Sequence, residues 1–498
     1  MTSPARPLPL LPLLLWKTPP GLAMILEQEG IAFRVLRDPS PLALRAGRFV
    51  LHDGRRASKT ELKSLLRPEH DGVDVRSLAE GESDDPFEVL LDTTGRESTW
   101  ELRGFELTEH VARRDRASIR RRLLGRLRSV VAGAGGVWAR LAAYPFPYRS
   151  AFNLRVDLDE PLPDDYHAFA RARRPIDGAT THFVSTHAYG DDPGVLGDLL
   201  PLDTHSHGHY HVVYREAEAN RVNLRRAADL LVAAGIEGRG FASPHGRWNL
   251  GLNGELEERG CSFSSEFQVG YDDLPFFPWT GTRPSTVLQV PVHPICEGLF
   301  FDAGATDAGP VGRHLVAAVR AKVDAGEPAF VYGHPERRLG RFPGIVTALA
   351  ATVVDEPGVW KVGLGAFADW WRWRLGRSWS LVPVGEGICE VRVDDWDERY
   401  PLGLEIVREG RTSLVPIRGP VTTLAPGELV YERPSPPYTL PPARPGRVRL
   451  GVRGRVRRAL DWETVTPVED LPAVSIRSRL KRGLRLWREG RAPAAANG

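Results

Sequence analysis

Short apolar runs alternate with longer segments of helical spacing between residues 151 and 376. The apolar runs include AFNLRVDLD, ATTHFVST and PAFVYGHP, and the helical segments include RVNLRRAADLLVAAG and HLVAAVRAKVDAG. Strands separated by helices at this rhythm are typical of parallel βα units. The pattern predicts an α/β fold for residues 151–376, with the strands arranged as in a (β/α) barrel.

The two flanks of this segment have different patterns. In residues 1–105, LPLLLW, RFVLHDG and FEVLLDTT predict short strands and GLAMILEQEG predicts a helix, so this region is expected to be a small α/β domain that begins with a buried strand. LPLLPLLLW carries two interior prolines, so it is interpreted as that strand and not as a signal peptide. Residues 377–470 contain ICEVRVDDW, LGLEIVREG and TSLVPIRG, which predict a β-sandwich-like accessory domain.

Two further segments place apolar residues at helical spacing opposite arginines. The connector, residues 106–150, sets Leu123, Leu127 and Val131 against a basic face, and the tail, residues 471–498, does the same around Leu480. Such helices either lie on anionic lipid or dock onto the protein with a solvated basic face. Docking is favoured for the connector, and the tail is more open to peripheral membrane contact than the connector because the tail ends the chain.

Composition bounds the class of protein without identifying it. The 498 residues are enough for two to four domains, and the net charge of +3 gives no reason to predict a nucleic-acid partner. Cys261, Cys296 and Cys389 are scattered thiols without a CxxC spacing, which suits a reducing compartment. No apolar stretch reaches the length of a bilayer span. These features predict a cytoplasmic protein, with the basic helices as candidates for contact with a membrane.

Polar residues follow several of the predicted strands at the point where the strand ends. Asp157 and Asp159 end FNLRVDLDE, and His293 and His334 end VPVHP and AFVYGHP. The run DTHSHGHYH, residues 203–211, follows another short apolar stretch. In a βα barrel the carboxyl ends of all strands meet on one face, so these side chains are expected to converge there.

The histidine run permits two ligand pairs of equal spacing. His207 and His211 are four residues apart, and so are His205 and His209. Two imidazoles and a carboxylate hold a divalent metal while leaving coordination positions open. The run and the aspartate pair together therefore predict a metal site, with both pairings open at this stage.

These residues resemble the NodB-type polysaccharide deacetylases, carbohydrate esterase family 4, over roughly residues 150–375. RVDLDE looks like the aspartate pair of that family, and the resemblance implies that Asp157 is the catalytic base and that Asp159 binds the metal. DTHSHGHYH looks like the second motif and implies His207 and His211 as the other ligands, because this register also matches an acidic residue and a serine of the motif. YGHP resembles the late histidine motif and implies that His334 is the general acid.

The third motif of the family, R-x-P-Y-G, is matched in part by FASPHG. Pro244 and Gly246 fit, but Ala242 replaces the arginine and His245 replaces the tyrosine. In the family that arginine orients the catalytic aspartate; Arg155, Arg239 and Arg247 are the candidate replacements, and the sequence does not select one of them.

The resemblance implies a distorted (β/α) barrel of the NodB type and a metal-dependent hydrolase of a carbon–nitrogen bond. The expected reaction is N-deacetylation of an N-acetylated sugar or glycan during polysaccharide or glycolipid assembly. Zinc is the expected metal, with cobalt, nickel or manganese as alternatives, and Pro244, His245, Arg247 and His293 are the expected substrate-binding residues. Because Ala242 departs from the motif, the alternative is a glycan-binding or scaffolding protein with a decayed active site.

Overall fold

The structure is a computed structural model that describes residues 10–53, 55–65, 74–77, 87–190, 192–446, 466–471 and 475–488. Parts of the predicted accessory domain (447–465) and of the predicted tail (472–474 and 489–498) lie outside the described residues, as do residues 1–9. No helix within the described ranges is long and apolar enough to cross a membrane.

The first layer is a four-stranded parallel sheet near the N-terminus. Its elements in chain order are β1 (Leu13–Trp16), α1 (Pro20–Glu29), β2 (Phe33–Leu36), α2 (Pro41–Leu44), β3 (Phe49–His52), α3 (Lys59–Leu65) and β4 (Asp74–Ser77). The strand order is β2-β1-β3-β4, and β1 is fully buried, as the sequence predicts for LPLLLW. FEVLLDTT was predicted as a strand but forms a 3-10 helix over Glu88–Leu91; its buried residues Phe87 and Leu90 are three apart, which suits a helical turn better than a strand.

A hairpin, a long helix and a short strand precede the central sheet. They are β5 (Gly95–Leu102), β6 (Phe105–Ala112), α4 (Arg116–Gly133) and β7 (Trp138–Leu141). Trp100 and Leu107 of the hairpin lie in the same buried cluster as the central sheet. The boundary predicted after residue 105 falls inside β6, directly after its first residue, and the division into domains stays a prediction.

The central region alternates strands and helices from residue 150 to residue 375. Its elements are β8 (Ser150–Leu158), α5 (Pro163–Arg173), β9 (Thr180–Val184), α6 (Thr186–Tyr189), α7 (Pro193–Leu199), β10 (Asp203–Ser206), α8 (Ala217–Ala233), β11 (Gly240–Phe241), α9 (Leu250–Glu258), β12 (Phe263–Ser264), β13 (Leu288–Gln289), α10 (Glu297–Asp302), α11 (Gly309–Asp324), β14 (Pro328–Gly333), α12 (Gly344–Val353), β15 (Val359–Lys361) and α13 (Leu364–Leu375). The predicted α/β alternation is therefore present.

The strands of this region form one curled parallel sheet of eight strands. The order is β13-β12-β11-β10-β9-β8-β14, and β15 also pairs with β8. The backbone N–H of His293, in the segment after β13, donates to the carbonyl of Phe330 on β14 at 2.8 Å, so the two ends of the curl approach each other. This mixed α/β architecture fits a (β/α) barrel, and the parallel strand order directs the carboxyl ends of the strands to one face.

The strand β8 lies between β9 and β14 in the curled sheet and is buried along its whole length. A strand covered on both faces has no solvent side, so its polar residues need partners inside the protein. Asn153 finds them through its amide, which donates to the Thr181 hydroxyl and to the carbonyls of Ala179 and Val362. Because the strand is buried, Arg155 and Asp157 also need partners inside the protein, and they pair with each other.

The C-terminal region forms two three-stranded antiparallel sheets. Its strands are β16 (Trp379–Gly385), β17 (Ile388–Val393), β18 (Gly403–Arg408), β19 (Arg411–Pro416), β20 (Val421–Leu424) and β21 (Arg444–Pro445). The first sheet has the order β16-β17-β20, and the second, β19-β18-β7, takes its edge strand from the predicted connector. The short β21 pairs with β5 of the hairpin, so strand pairing links sequence regions that the patterns separate.

The two segments predicted as basic amphipathic helices are both helical. In α4, Leu123, Leu127 and Val131 are buried against the N-terminal and C-terminal sheets, as the docking alternative predicts. Arg120 of the same helix is also buried, where it pairs with Glu29 and Asp273, so the basic face is not wholly solvated. The second helix, Ile476–Arg488, is called the C-terminal helix below.

Candidate functional site

Three predicted ligands meet at the carboxyl ends of β8 and β10. The Nε2 atoms of His207 and His211 each lie 3.3 Å from Oδ1 of Asp159. One ligand atom from each of the three side chains fits within 4.8 Å of the others. We call Asp159, His207 and His211 the Asp159 triad.

The triad has the chemistry of a metal site. Oδ1 of Asp159 is buried and has no hydrogen-bond partner among the described residues, although two imidazoles flank it. Nδ1 of His207 lies 2.8 Å from the carbonyl of Ala242, which can only accept a hydrogen bond, so Nδ1 carries the proton and the neutral imidazole directs the lone pair of Nε2 at the triad. A buried carboxylate oxygen and two convergent imidazole nitrogens form a donor set that fits a divalent cation such as zinc.

The positions of the two histidines come from β10 and from a brace on α8. His207 directly follows β10, and its backbone N–H donates to Val184 of β9 at 2.9 Å. The Asn223 side chain accepts from the backbone N–H of Tyr210 at 2.6 Å and donates to the carbonyls of Tyr210 and Val212, so it holds the chain on both sides of His211. A spacing of four residues between His207 and His211 would suit a helical turn, whereas the structure places His211 in a non-helical loop that this amide braces.

The alternative histidine pair points elsewhere. Nε2 of His205 lies 3.1 Å from Asp203, and its Nδ1 accepts from the backbone N–H of Gly240. Nδ1 of His209 lies 3.0 Å from the hydroxyl of Thr186. The structure thus brings His207 and His211 to Asp159 and engages His205 and His209 in other contacts.

Asp157 lies beside the triad and is held by an arginine on its own strand. Arg155 donates from Nε and Nη2 to the two carboxylate oxygens of Asp157, at 2.8 and 2.5 Å, and from Nη1 to the carbonyl of Ser265 at 2.6 Å. Residues two apart on a strand share a face, which explains how both reach the same side of β8. Of the three candidate replacements for the missing arginine, Arg155 is the one in contact with Asp157; Arg239 pairs with Asp369.

His334 is the first residue after β14, and its side chain approaches the triad from the end of that strand. Its Nε2 lies 3.9 Å from Oδ2 of Asp159, and its Nδ1 lies 2.8 Å from Oε1 of Glu297. Glu297 is fully buried and also accepts from the backbone N–H of His334 at 2.7 Å. Sequence reasoning missed Glu297, because it begins α10 in a stretch without a motif and meets His334 only through the fold.

The partial third motif lies at the edge of the triad. Pro244 is buried in a 3-10 turn, and His245 has a positive φ of 56° and places its ring centre 4.8 Å from that of His211. Nη2 of Arg247 lies 3.7 Å from Glu97 of the β5–β6 hairpin. The hairpin, to which the sequence assigned no role, therefore contributes a carboxylate near the predicted substrate-binding residues.

His293 lies apart from the triad. It was expected at a strand end, but β13 ends at Gln289 and the His293 side chain is fully buried. Its Nδ1 lies 3.0 Å from Asp272 and its Nε2 lies 3.1 Å from His314, and Lys322 donates to Asp272 at 2.8 Å. We call Asp272, His293, His314 and Lys322 the Asp272 cluster; its contacts give His293 a place in the core and none with the triad.

The carboxylates of the site are held ionised. Burial alone would raise the pKa of Asp157, but the Arg155 guanidinium outweighs burial and keeps that pKa below its usual value. Burial likewise opposes ionisation of Asp159, and the adjacent imidazoles of His207 and His211 hold its pKa far below the usual range. Both groups are therefore anionic at neutral pH.

The three imidazoles respond differently to this environment. Burial lowers the pKa of His211 to about 4, despite the attraction of Asp159. Burial also opposes protonation of His207 and His334, but His207 faces both Asp157 and Asp159, so its pKa is raised. For His334 the carboxylate of Glu297 raises the pKa well above its ordinary value. The site thus combines one imidazole that stays neutral with one that is set up to carry a proton.

Comparisons with known proteins give distant structural likenesses. No family model and no curated protein matches the chain. Among solved structures, a putative polysaccharide deacetylase from Mycobacterium smegmatis is 19% identical, covers 46% of this chain and 94% of its own, and has a TM-score of 0.40. A family 4 carbohydrate esterase from Streptomyces lividans in complex with acetate is 12% identical, with coverages of 42% and 90% and a TM-score of 0.30. A CE4 family pseudoenzyme from Bacillus anthracis is also 12% identical, with coverages of 43% and 65% and a TM-score of 0.30.

Proposed function

We propose that the protein is a metal-dependent hydrolase that removes the acetyl group from an N-acetylated sugar. One observation carries this proposal: the Asp159 triad, with its unpaired carboxylate oxygen, has the Arg155-bound Asp157 on one side and the Glu297-bound His334 on the other. A cation site with an ionised base and a separate proton donor is the arrangement that amide hydrolysis needs.

The triad residues would hold the cation through Oδ1 of Asp159 and the Nε2 atoms of His207 and His211. When bound, a divalent cation such as zinc lowers the pKa of water and polarises an amide carbonyl. Three protein ligands leave further coordination positions open, as catalytic zinc sites require. We retain zinc as the first choice and cobalt, nickel and manganese as alternatives.

Asp157 acts as the general base in this proposal. Its carboxylate takes a proton from the water that attacks the carbonyl carbon of the acetamido group. Arg155 keeps Asp157 ionised and fixes both carboxylate oxygens, so the base is available at neutral pH.

His334 acts as the general acid. Glu297 holds its Nδ1, which leaves Nε2 directed towards the triad. Nε2 gives its proton to the departing nitrogen as the carbon–nitrogen bond breaks, and the products are acetate and the free amino sugar. The carboxylate of Glu297 raises the pKa of His334, which favours the protonated imidazole that this step needs.

The choice of an N-acetylated sugar rests on the resemblance of RVDLDE, DTHSHGHYH and FASPHG to the three deacetylase motifs. The alternative of a decayed glycan-binding protein arose from Ala242, which lacks the arginine side chain of the motif. Arg155 makes the contact with Asp157 that the family assigns to that arginine. We therefore favour the enzyme.

The direct test is acetate release from N-acetylated sugars and sugar nucleotides by the full chain supplied with zinc or cobalt. We expect Asp157→Asn to lower the rate by about 10²–10⁴-fold, the usual contribution of a general base. The matched control is Asp355→Asn at an exposed aspartate, which should leave the rate unchanged. Equal rates for wild type and Asp157→Asn would refute the mechanism, and metal binding without turnover of any substrate would favour the decayed alternative.

A further inference from the structure

The C-terminal helix docks onto the protein with its basic side. Lys481 and Arg485 are 5% and 7% exposed, whereas Leu480 is 58% exposed and Trp487 is 80% exposed. An amphipathic helix of a soluble domain normally turns its apolar stripe to the core. Here the orientation is reversed, so the apolar stripe faces outwards.

Specific contacts fix this reversed orientation. The Lys481 ammonium lies 5.5 Å from the centre of the Tyr214 ring, and Arg485 donates to the carbonyl of Thr466. Tyr214 and Leu471 belong to one small buried cluster with Tyr210. The basic side therefore contacts the Tyr214 ring and the Thr466 carbonyl, and the helix cannot rotate to bury its apolar stripe without losing these contacts.

The outward stripe is continuous along the helix. Its four side chains are spaced at four, four and three residues, and each is between 44% and 80% exposed: Ile476, Leu480, Leu484 and Trp487. An exposed apolar stripe of this kind is characteristic of a surface that binds a partner. Tryptophan is enriched where proteins meet the headgroup region of a bilayer.

The charge around the stripe selects the kind of partner. The sequence from residue 476 to residue 488 contains six arginines and lysines and no acidic residue. Arg479 is exposed and Arg482 is half-buried, so both can reach the surface that the stripe would enter. The segment 447–465 has six arginines against two acidic residues, so its charge disfavours it as a cover for this helix.

We propose that the C-terminal helix binds an anionic lipid surface, with the stripe in the interface and the arginines on the phosphate groups. A second copy of the chain fits less well, because a stable protein interface takes about 20–30 residues from each side and the stripe offers four apolar side chains. A lipid surface has no such minimum, since binding grows with the apolar area buried and with each basic residue near the phosphates.

The lipid-binding helix is linked to the loop that carries His211. Tyr210 and Tyr214 lie on either side of His211 in sequence; the Tyr210 hydroxyl donates to Asp470, and Tyr214 contacts Thr466 and Lys481. Asp470 also pairs with Arg226 of α8. The surface that would touch the membrane is therefore attached to the loop that carries His211 of the triad, and binding would hold that loop beside the lipid.

The test is sedimentation of the full chain with vesicles of phosphatidylglycerol and phosphatidylcholine in equal parts, compared with phosphatidylcholine alone. We expect binding to the anionic vesicles, weaker binding at high salt, and at least a tenfold drop in the partition coefficient for Leu480→Gln/Leu484→Gln/Trp487→Gln. The matched control is Leu200→Gln/Val232→Gln, which changes two exposed apolar residues elsewhere and should bind as wild type does.

Further measurements distinguish a lipid surface from the other possible partners of the stripe, which are another part of this chain and a second copy of the chain. Arg479→Ser/Arg482→Ser should reduce the preference for anionic over zwitterionic vesicles, and the triple variant should keep the wild-type thermal midpoint without lipid. A lower midpoint would show that the stripe packs against this chain, and conversion of a dimer to a monomer would show that it binds a second copy. Either result, or wild-type binding equal to that of the triple variant, overturns the proposal.

Discussion

The protein contains two clusters of histidines and carboxylates that differ in how their polar atoms are used. In the Asp159 triad the ligand atoms converge, and one carboxylate oxygen is left without a hydrogen bond among the described residues. In the Asp272 cluster the groups pair with one another: His293 bridges Asp272 and His314, and Lys322 supplies the compensating charge. The first cluster has a carboxylate oxygen with lone pairs available for a ligand, whereas the polar atoms of the second cluster are engaged in contacts with one another.

Exposure sharpens the same contrast. The side chains of Asp159 and His211 are 24% and 29% exposed, so an ion can enter, whereas His293 is fully buried. Buried polar groups are stable when they form hydrogen bonds with one another. A ligand site differs because some of its acceptors have no hydrogen-bond partner in the protein. The proposed metal is therefore assigned to the Asp159 triad, whose ligand atoms are not satisfied by one another, and not to the Asp272 cluster, whose polar groups pair among themselves.

The largest effect is expected from a change in the triad. His207→Ala should abolish stoichiometric metal binding and lower acetate release at least 100-fold, because the triad loses one of its three ligands. Metal analysis of the purified protein beside an acetate assay measures both. His314→Gln, the matched change in the Asp272 cluster, should retain the metal, and loss of metal from that variant instead would erase the distinction between the clusters.

The next effect is on stability and tests the Asp272 cluster. Lys322→Met removes the cation that compensates the buried Asp272 carboxylate, and breaking a buried pair in this way costs about 3–5 kcal/mol of unfolding free energy. Urea unfolding measures the loss. Metal content of the folded protein should be unchanged, and a drop in metal binding without a change in stability would contradict the assignment.

Acid should destabilise the Asp272 cluster through His314. Burial lowers the pKa of His314 to about 3 from an ordinary value of 6.5, so below pH 6.5 the unfolded chain takes up a proton that the folded chain does not. Stability should therefore fall by roughly 2–3 kcal/mol between pH 7 and pH 4.5. Asp272, whose pKa Lys322 and His293 lower against the effect of burial, adds a further loss below about pH 4.

Urea unfolding at several pH values measures this dependence. In His314→Phe the fall between pH 7 and pH 4.5 should be smaller, because the titrating imidazole is gone. An identical pH dependence in wild type and variant would place the acid sensitivity elsewhere in the molecule.

The smallest effect concerns the arginine beside the triad. Arg155→Lys keeps the charge but loses the bidentate hydrogen bonding to Asp157. The pKa of Asp157 should therefore rise, and the rate of acetate release should fall about tenfold. Because the base works in its ionised form, the acid limb of the rate–pH profile should move to higher pH. An unchanged profile with a lower rate would assign Arg155 a merely structural role.

Much of the candidate site was predictable from residue types and their order. The aspartate pair at the end of an apolar run and the run of four histidines predicted the three side chains that meet in the triad. The roles assigned to these residues, and the division of the chain into domains, stay predictions. His293 was misplaced because a His-Pro after an apolar run was taken for a strand end, whereas hydrogen bonding ends β13 at Gln289.

Other parts of the site had no signal in the sequence. Glu297 reaches His334 from 37 residues away, and Glu97 reaches Arg247 from a hairpin that precedes the curled sheet. Arg155 was one of three equal candidates until the buried face of β8 paired it with Asp157. Local spacing fixes which residues share a strand face, but partners across long separations depend on which strand ends the fold brings together.

The sequence by itself determined the alternation of strands and helices, the positions of Asp157, Asp159, His207 and His211, and the amphipathic character of both basic helices. The tertiary structure decided that α4 buries its apolar side while the C-terminal helix exposes its own. It also decided which histidine cluster is closed and which is open. The reason is physical: periodicity sets which residues share a face, but burial and pairing depend on the surface that the folded chain places against that face.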